Sequence, residues 1–462
     1  MTDLATRLEA VVGPKGLRRD AEVDLLDPGW HPENLRARLL VAPASTEDVA
    51  EVVRIAAEVG AALVPQGGRT GLVGGTRTCE DQIVLSTHRL DRILRLDPNE
   101  RVAVVEAGVT LEALQTAAAA YGLEPGIDIA ARGSATIGGM VSTNAGGILA
   151  FRNGVMRHRV LGLEAILPDG SRLGDLTRIV KNNTGYDVKQ LLIGAEGTLG
   201  FVTRIAVRLD PMPRTRVTAL FGLPSTAAAL DLLRQALGDG RLDLRAAEVM
   251  WADFARATAA ANGISDSAID LSHPVQLLLE AGGPAEAPLT EAFEDLYAAL
   301  IEEGLEIGGV IAHSERQRDE IWRLREDTGA IYRLYPAAPS YDVSIPATEI
   351  DGWLARFAAD LAAYDPTLGF FSFGHLGDGN LHVILKRPGP LPEGEETAID
   401  DIVYGDIGRL GGAFSAEHGI GSKRRAALAT HADPGKLALV RLLKASLDPK
   451  GIMNPGKVVS TP

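Results

Sequence analysis

The sequence predicts an α+β protein of more than one domain, and three observations predict it. The 51 glycines among 462 residues exceed the average usage of about 7% and gather into clusters, each beside a strand-like apolar run. Pro211 and Pro213 mark a boundary beyond which those clusters stop. Past it, strand-like and helix-like runs alternate in the manner of an antiparallel sheet covered by helices on one face.

In chain order, the run Thr46 to Val59 has helical periodicity and Ala61 to Val64 reads as a short strand. The first cluster follows at once, Pro65-Gln66-Gly67-Gly68-Arg69-Thr70-Gly71-Leu72-Val73-Gly74-Gly75. After the strand Val102 to Glu106 comes the second, from Gly126 to Gly147, with Gly133-Ser134-Ala135-Thr136-Ile137-Gly138-Gly139 and Thr143-Asn144-Ala145-Gly146-Gly147 inside it. Val160 to Leu167 is a strand closed by the turn Pro168-Asp169-Gly170. The third cluster, Gly194-Ala195-Glu196-Gly197-Thr198-Leu199-Gly200, opens into the strand Phe201 to Leu209. Residues 1–212 are therefore expected to form a domain whose loops let a ligand lie against backbone. In 213–410 the runs Val217 to Gly222, Thr226 to Leu237, Glu248 to Trp251 and Val275 to Leu279 build the second domain. Residues 411–462 carry the helix-like Lys436 to Leu447 and the closing Asp448-Pro449-Lys450-Gly451-Ile452-Met453-Asn454-Pro455-Gly456-Lys457, a segment expected to complete the site. No internal repeat interrupts this order.

With 46% hydrophobic and 23% charged residues, the composition is that of an ordinary globular protein. The formal net charge of −15 argues against a nucleic-acid surface and against anionic lipid. No run reaches the roughly 18 uncharged apolar residues of a membrane span, and the amino terminus, with Asp3 and Glu9, lacks the pattern of a secretory signal. The cytoplasm is the expected compartment. Cys79 is the one cysteine, which excludes an internal disulfide, a cysteine zinc cluster and a redox dithiol.

The second domain ends on the most informative stretch, Gly374-His375-Leu376-Gly377-Asp378-Gly379-Asn380-Leu381-His382. Apolar runs flank it, Phe370 to Phe373 and Leu381 to Leu385, and Asp378-Gly379 is a strong signal for a two-residue hairpin turn. With those two as the turn, residue 377 faces 380 and His375 directly opposes His382, roughly 5 Å apart at Cβ. The pair could then share one divalent ion, with Glu417 as the best third ligand and the adjacent His418 as a base beside the metal. On spacing alone, a plain cross-strand polar pair is the commoner arrangement. His31, His88, His158, His273, His313 and His431 have no comparable setting.

Glycine clusters after strands suit close approach of backbone amides to phosphate. None ends in Lys-Ser/Thr, and none has the G-x-G-x-x-G spacing of a Rossmann fold. One such cluster would read as a plain turn, but three in one domain need another explanation, because ordering glycine costs entropy without adding packing.

In combination and in order, the clusters and the closing Asn454-Pro455-Gly456-Lys457 resemble the flavoprotein family of vanillyl-alcohol oxidase and p-cresol methylhydroxylase. The resemblance runs from residue 35 to residue 460 and is to the D-2-hydroxy acid dehydrogenase branch, which includes D-lactate and D-2-hydroxyglutarate dehydrogenases and the glycolate oxidase large subunit. It implies a two-subdomain FAD-binding domain, an antiparallel-sheet substrate (cap) domain and a C-terminal helical segment returning to the flavin. It implies the FAD pyrophosphate over Gly67, Gly68, Arg69, Thr70 and Gly71, with the flavin and ribityl along Ser134, Thr136, Gly138, Gly139, Asn144 and Gly147. Glu196, Gly197 and Val202 would lie near the adenosine end and Asn454 near the flavin. Covalently flavinylated relatives carry histidine where Arg69 stands, so non-covalent FAD is implied.

The implied reaction is oxidation of a D-2-hydroxy acid to the 2-oxo acid, with hydride transfer to flavin N5. A divalent ion on His375, His382 and Glu417, zinc by the family pattern with manganese as the other choice, would polarise the hydroxyl. His418 would take the proton, and Arg325 would grip the carboxylate. From the residues themselves, Arg316, Arg318, Arg323 and Arg325 look like a solvated helix face. The match also departs from the 2-hydroxyglutarate-specific members. Where those carry threonine, lysine and asparagine for the distal carboxylate, this chain has Gly329, Ser340 and Ile384. Apolar Ile384 points to a D-lactate-like or other small acid, since an unpaired second carboxylate there is costly. The alternatives are a D-2-hydroxyglutarate dehydrogenase with a different distal site, and a non-catalytic flavin subunit of a larger complex. Without a cysteine motif, electrons must leave to an external acceptor, whether an electron-transfer flavoprotein, a quinone or a cytochrome. The sequence leaves the oligomeric state open, a homodimer included.

Overall fold

The protein is described by a computed structural model over residues 2–265, 269–392 and 394–459. It divides into two units, one of Met1–Gly147, Asn153–Met212 and Glu417–Pro462, the other of Ile148–Arg152 and Pro213–Ala416.

The first unit is organised by two main sheets. In the four-stranded one, Leu17–Arg19, Leu39–Val41, Ile83–Ser86 and Leu63–Gln66 lie in that order, the last three parallel. The helix Thr46–Val59 covers it, for reasons visible in its sequence. The Ser45 side chain caps it by accepting from Asp48 N, Gly60 ends it at φ 71°, and Val49, Val52, Val53 and Ala56 form its buried stripe. Each fully buried Val of that kind contributes about 1.5–3 kcal/mol. The other sheet is antiparallel throughout, in the order Ile93–Asp97, Val102–Glu106, Phe201–Arg208, Val160–Ile166 and Arg172–Asp175. Val102–Glu106 is buried along its whole length. Its terminal Glu106 is held by Arg92, through the backbone amide, Nε and Nη2, at 2.7–3.1 Å. The chain's last segment returns to the parallel sheet, where Leu63 N donates to Ile452 O and Asn454 N to Leu63 O, both at 2.7 Å.

The second unit is one antiparallel sheet of seven strands, ordered Gly308–Ile311, Thr215–Leu223, Val275–Gly283, Asp243–Trp251, Phe370–His375, Asn380–Leu385 and Ser340–Ser344. Helices cover both of its faces, not one as the alternation of elements suggested. Leu220, Leu278 and Met250 pack on one side against Phe254 of the helix Ala252–Asn262 and Ile321 and Leu324 of Glu315–Glu326. Phe221 points the other way, to Phe293 of Glu286–Glu302, with ring centroids 6.3 Å apart. The physical reason is in the central strand Val275–Gly283, which is buried at every position but the last. A continuous apolar run, rather than strict alternation, marks burial on two faces.

Among the described residues, no helix is long and apolar enough to cross a membrane.

Candidate functional site

In the first unit the glycine loops meet at one cleft. Its wall includes Gly67, Gly68, Arg69, Thr70, Gly71, Thr136, Gly138, Gly139, Glu196, Gly197, Val202 and His418. Loops 67–71 and 134–139 touch so closely that a Cβ at Gly68 would sit 1.8 Å from the Ser134 carbonyl oxygen. Only glycine allows that approach. Arg69 takes φ 55°, so the chain turns sharply there. Among the described residues, the amides of Arg69, Thr70 and Gly71 donate to no protein acceptor. Thr87 Oγ1, on the same wall and buried, likewise has no protein partner. A half-buried row of N–H groups beside an orphaned hydroxyl fits a polar, anionic ligand, because such groups rarely stay unpaired. Burial holds the Arg69 guanidinium below its ordinary pKa, with Asp27 opposing.

Four of the expected cofactor residues do not line that cleft. Ser134 supplies the carbonyl against Gly68. Asn144 ends the helix Ile137–Thr143 at φ 52° and its Oδ1 accepts from Arg157 N at 2.9 Å. The Gly147 amide donates to Glu417 Oε1 at 2.5 Å. Asn454, at φ 46° and 1% exposed, donates through Nδ2 to Gly75 O and Glu196 O at 3.0 and 2.7 Å. Glu196 is buried, and its carboxylate accepts from Ile420 N at 2.7 Å and Gly421 N at 2.8 Å. Burial pushes its pKa up, and the two amides with Arg424 and Lys457 oppose that.

In the second unit, the histidine hairpin forms with a different register. His375 pairs with Asn380 and Phe373 with His382, so the connection is Leu376 to Gly379 and not a two-residue turn. Leu376, 1% exposed, draws the loop inward while its amide donates to Ala247 O, and the Gly379 amide folds back on His375 O at 3.0 Å. The shift is by two residues, which preserves the face. Both histidines therefore stay on one side, diagonal rather than opposed, with ring centroids 5.6 Å apart.

A buried carboxylate stands beside each ring, and sequence reasoning missed both. His375 Nδ1 lies 2.7 Å from Glu248 Oε1 on the adjoining strand. His382 Nδ1 lies 3.7 Å from Asp342 Oδ1, across the register pair His382–Asp342. Each acid is fully buried. The signal was a lone acid inside an apolar strand, in Ala246-Ala247-Glu248-Val249-Met250 and in Tyr341-Asp342-Val343. With Nδ1 of His375 engaged by Glu248, its Nε2 is the nitrogen left to a metal or substrate, the usual outer-shell arrangement of a ligating histidine.

Arg325 is not on a solvated face. It is buried, its Nε pairs with Glu248 Oε2 at 2.8 Å, and its guanidinium lies over the Phe373 ring at 4.9 Å. Arg318 also turns inward, to Glu280 at 2.9 Å, whereas Arg316 and Arg323 stay exposed. The helix presents two arginines to the sheet because the sheet offers buried acids there. Ile384 is buried with Phe371 and Phe373 and faces Ser340 across the ladder. Ala416 N donates to Asp342 O at 3.4 Å, and Glu417 and His418 are the next residues along the chain.

Residues 212–458 match the family described as FAD linked oxidases, C-terminal domain, and residues 37–174 match the FAD binding domain. The chain is 35% identical over 460 residues to the mitochondrial D-2-hydroxyglutarate dehydrogenase of Bos taurus, which takes in 99% of this chain and 84% of that one. It is 38% identical over 442 residues to the D-2-hydroxyglutarate dehydrogenase of Xanthomonas citri pv. viticola, 94% of this chain and 90% of that one. Among solved structures, p-cresol methylhydroxylase with substrate bound shares the fold, with a TM-score of 0.76 over 99% of this chain and 97% of that one at 16% identity.

Proposed function

We propose that this chain, which belongs to the FAD-linked oxidases and to their D-2-hydroxy acid dehydrogenase branch, oxidises a D-2-hydroxy acid to the 2-oxo acid. One observation carries the reading. On one face of one sheet, Glu248 holds the imidazole of His375 and the guanidinium of Arg325, beside His382. That is a site with a carboxylate anchor and a pair of nitrogen ligands a few ångströms apart.

FAD, when bound non-covalently along the glycine loops, supplies the hydride acceptor. A divalent ion, zinc or manganese, held by His375, His382 and Glu417, would supply Lewis-acid polarisation of the hydroxyl. Arg325 engages Glu248 through Nε, which leaves its two terminal nitrogens as the fork for the substrate carboxylate. Phe373 beneath it keeps the guanidinium plane fixed. His418 accepts the hydroxyl proton, a task for which an imidazole near neutrality suits. Cys79, the one cysteine, is exposed, so electrons pass to an external acceptor such as an electron-transfer flavoprotein, a quinone or a cytochrome.

The substrate we favour is a small D-2-hydroxy acid of the lactate kind, on the strength of buried Ile384 facing Ser340. The names of the bovine and Xanthomonas relatives favour a second reading, D-2-hydroxyglutarate. Steady-state dye reduction with the D- and L-forms of both acids separates them. Turnover of D-lactate with a kcat/KM at least tenfold above that of D-2-hydroxyglutarate supports the first, the reverse ratio supports the second, and no D-selectivity with either contradicts both.

A further inference from the structure

Glu196 has a task that a cofactor contact does not explain. Both of its carboxylate oxygens are engaged, Oε1 by the amide of Ile420 at 2.7 Å and Oε2 by the amide of Gly421 at 2.8 Å. A buried carboxylate is also a poor neighbour for an anionic pyrophosphate, since like charges repel strongly where water is excluded. Its main chain is anchored just as firmly. Glu196 N donates to Ser142 O at 2.7 Å, its carbonyl accepts from Asn454 Nδ2 at 2.7 Å, and it holds φ 51°. The residue is thus a fixed post on the cleft wall, and the loop tied to it is the one that carries Glu417 and His418.

We propose that Glu196 is a positioning residue for His418 and Glu417, clasping their loop through the paired amides of Ile420 and Gly421. The chemistry calls for a carboxylate. Two adjacent donors need an acceptor at each oxygen, and a glutamine would turn its NH2 against one of them. The fit is tight on the loop side too, because a Cβ at Gly419, where φ is 83°, would meet Glu196 Oε1 at 2.7 Å. The inference rests on the proposed function for the role of His418, but the clasp itself does not.

The test is amide hydrogen exchange of the flavin-loaded protein as purified, comparing wild type with Glu196→Gln over residues 415–424. We expect exchange at Ile420 and Gly421 to rise at least tenfold, on the order expected when one hydrogen bond to a charged group is lost. We expect kcat to fall about as far with flavin content and KM kept. Gly419→Ala, which leaves Glu196 in place and pushes the loop away, should give the same pattern. Unchanged protection at 420 and 421 in both variants would overturn the proposal. So would a loss of kcat wholly accounted for by lost flavin, which would assign Glu196 to cofactor retention. If wild type turns over no 2-hydroxy acid, the functional reading fails while the exchange comparison still decides whether Glu196 holds the loop.

Discussion

Replacing Glu248 by glutamine should damage metal binding, substrate binding or both. The carboxylate is 0% exposed and serves two partners, His375 Nδ1 at 2.7 Å and Arg325 Nε at 2.8 Å. Glutamine keeps the shape but offers one acceptor and one donor, so either the hydrogen bond to His375 or the ion pair with Arg325 becomes a donor facing a donor. A hydrogen bond to a charged group contributes about 1.5–3 kcal/mol, or roughly 10- to 150-fold in an equilibrium constant at 1.4 kcal/mol per factor of ten. Loss of an outer-shell partner independently predicts a fall of about 10- to 100-fold in metal affinity. Zinc affinity from competition with a chromophoric chelator and KM from dye reduction at saturating zinc measure the two sides. At least one should worsen by tenfold, while flavin content stays at the wild-type level because Glu248 belongs to the other unit. Glu248→Ala should be worse on both sides, since it leaves the buried Arg325 charge without its partner, at about 3–5 kcal/mol. A Glu248→Gln protein with wild-type zinc affinity and wild-type KM would show that Glu248 orients neither His375 nor Arg325 for binding.

Three further outcomes follow from the geometry. Gly68→Ala should lose flavin, because the new methyl would fall 1.8 Å from the Ser134 carbonyl oxygen, and flavin absorbance per protein after gel filtration reads it. Lys444→Met should lower stability in denaturant titration by about 3–5 kcal/mol. It would strip Asp448, whose side chain is 0% exposed, of a partner at 2.5 Å and leave the Thr198 and Met453 carbonyls without their shared donor. Acidification should destabilise the chain from pH 6.5 downward. Burial first, and neighbouring arginines second, hold His31 and His88 below 6.5, so the unfolded chain takes up protons before the folded one does. That stability is present above pH 6.5 and is lost as pH falls through the folded pKa values. His88→Gln should flatten the fall of Tm with pH, and an unchanged slope would speak against it.

Local signals made much of this legible. The helix Thr46–Val59 carries its cap, its stop and its stripe in the sequence, and its bounds match those read from periodicity. The strand Val102–Glu106 was equally plain as an apolar run. Leu17–Arg19 and Leu39–Val41 were not, because three-residue strands have too little period to stand out. The hairpin shows how a strong local rule is overridden. Asp378-Gly379 favours a two-residue turn, yet burial of Leu376 and its bond to Ala247 set a longer connection. The histidines survived that error only because a slip of two residues preserves the face. The burial of Arg325, and Glu248 and Asp342 themselves, lay beyond reach for a different reason. A charge on a helix or strand reads as solvated unless its partner is known, and here each partner comes from a different element.

The most direct test is anaerobic mixing of the flavin-loaded protein with D- and L-lactate and D- and L-2-hydroxyglutarate, following loss of flavin absorbance before and after chelator. A D-acid and not its L-form should bleach the flavin fast, an effect abolished by chelator and restored by zinc or manganese. A flavin that none of these acids bleaches, in protein that retains its cofactor and metal, would contradict the proposed function.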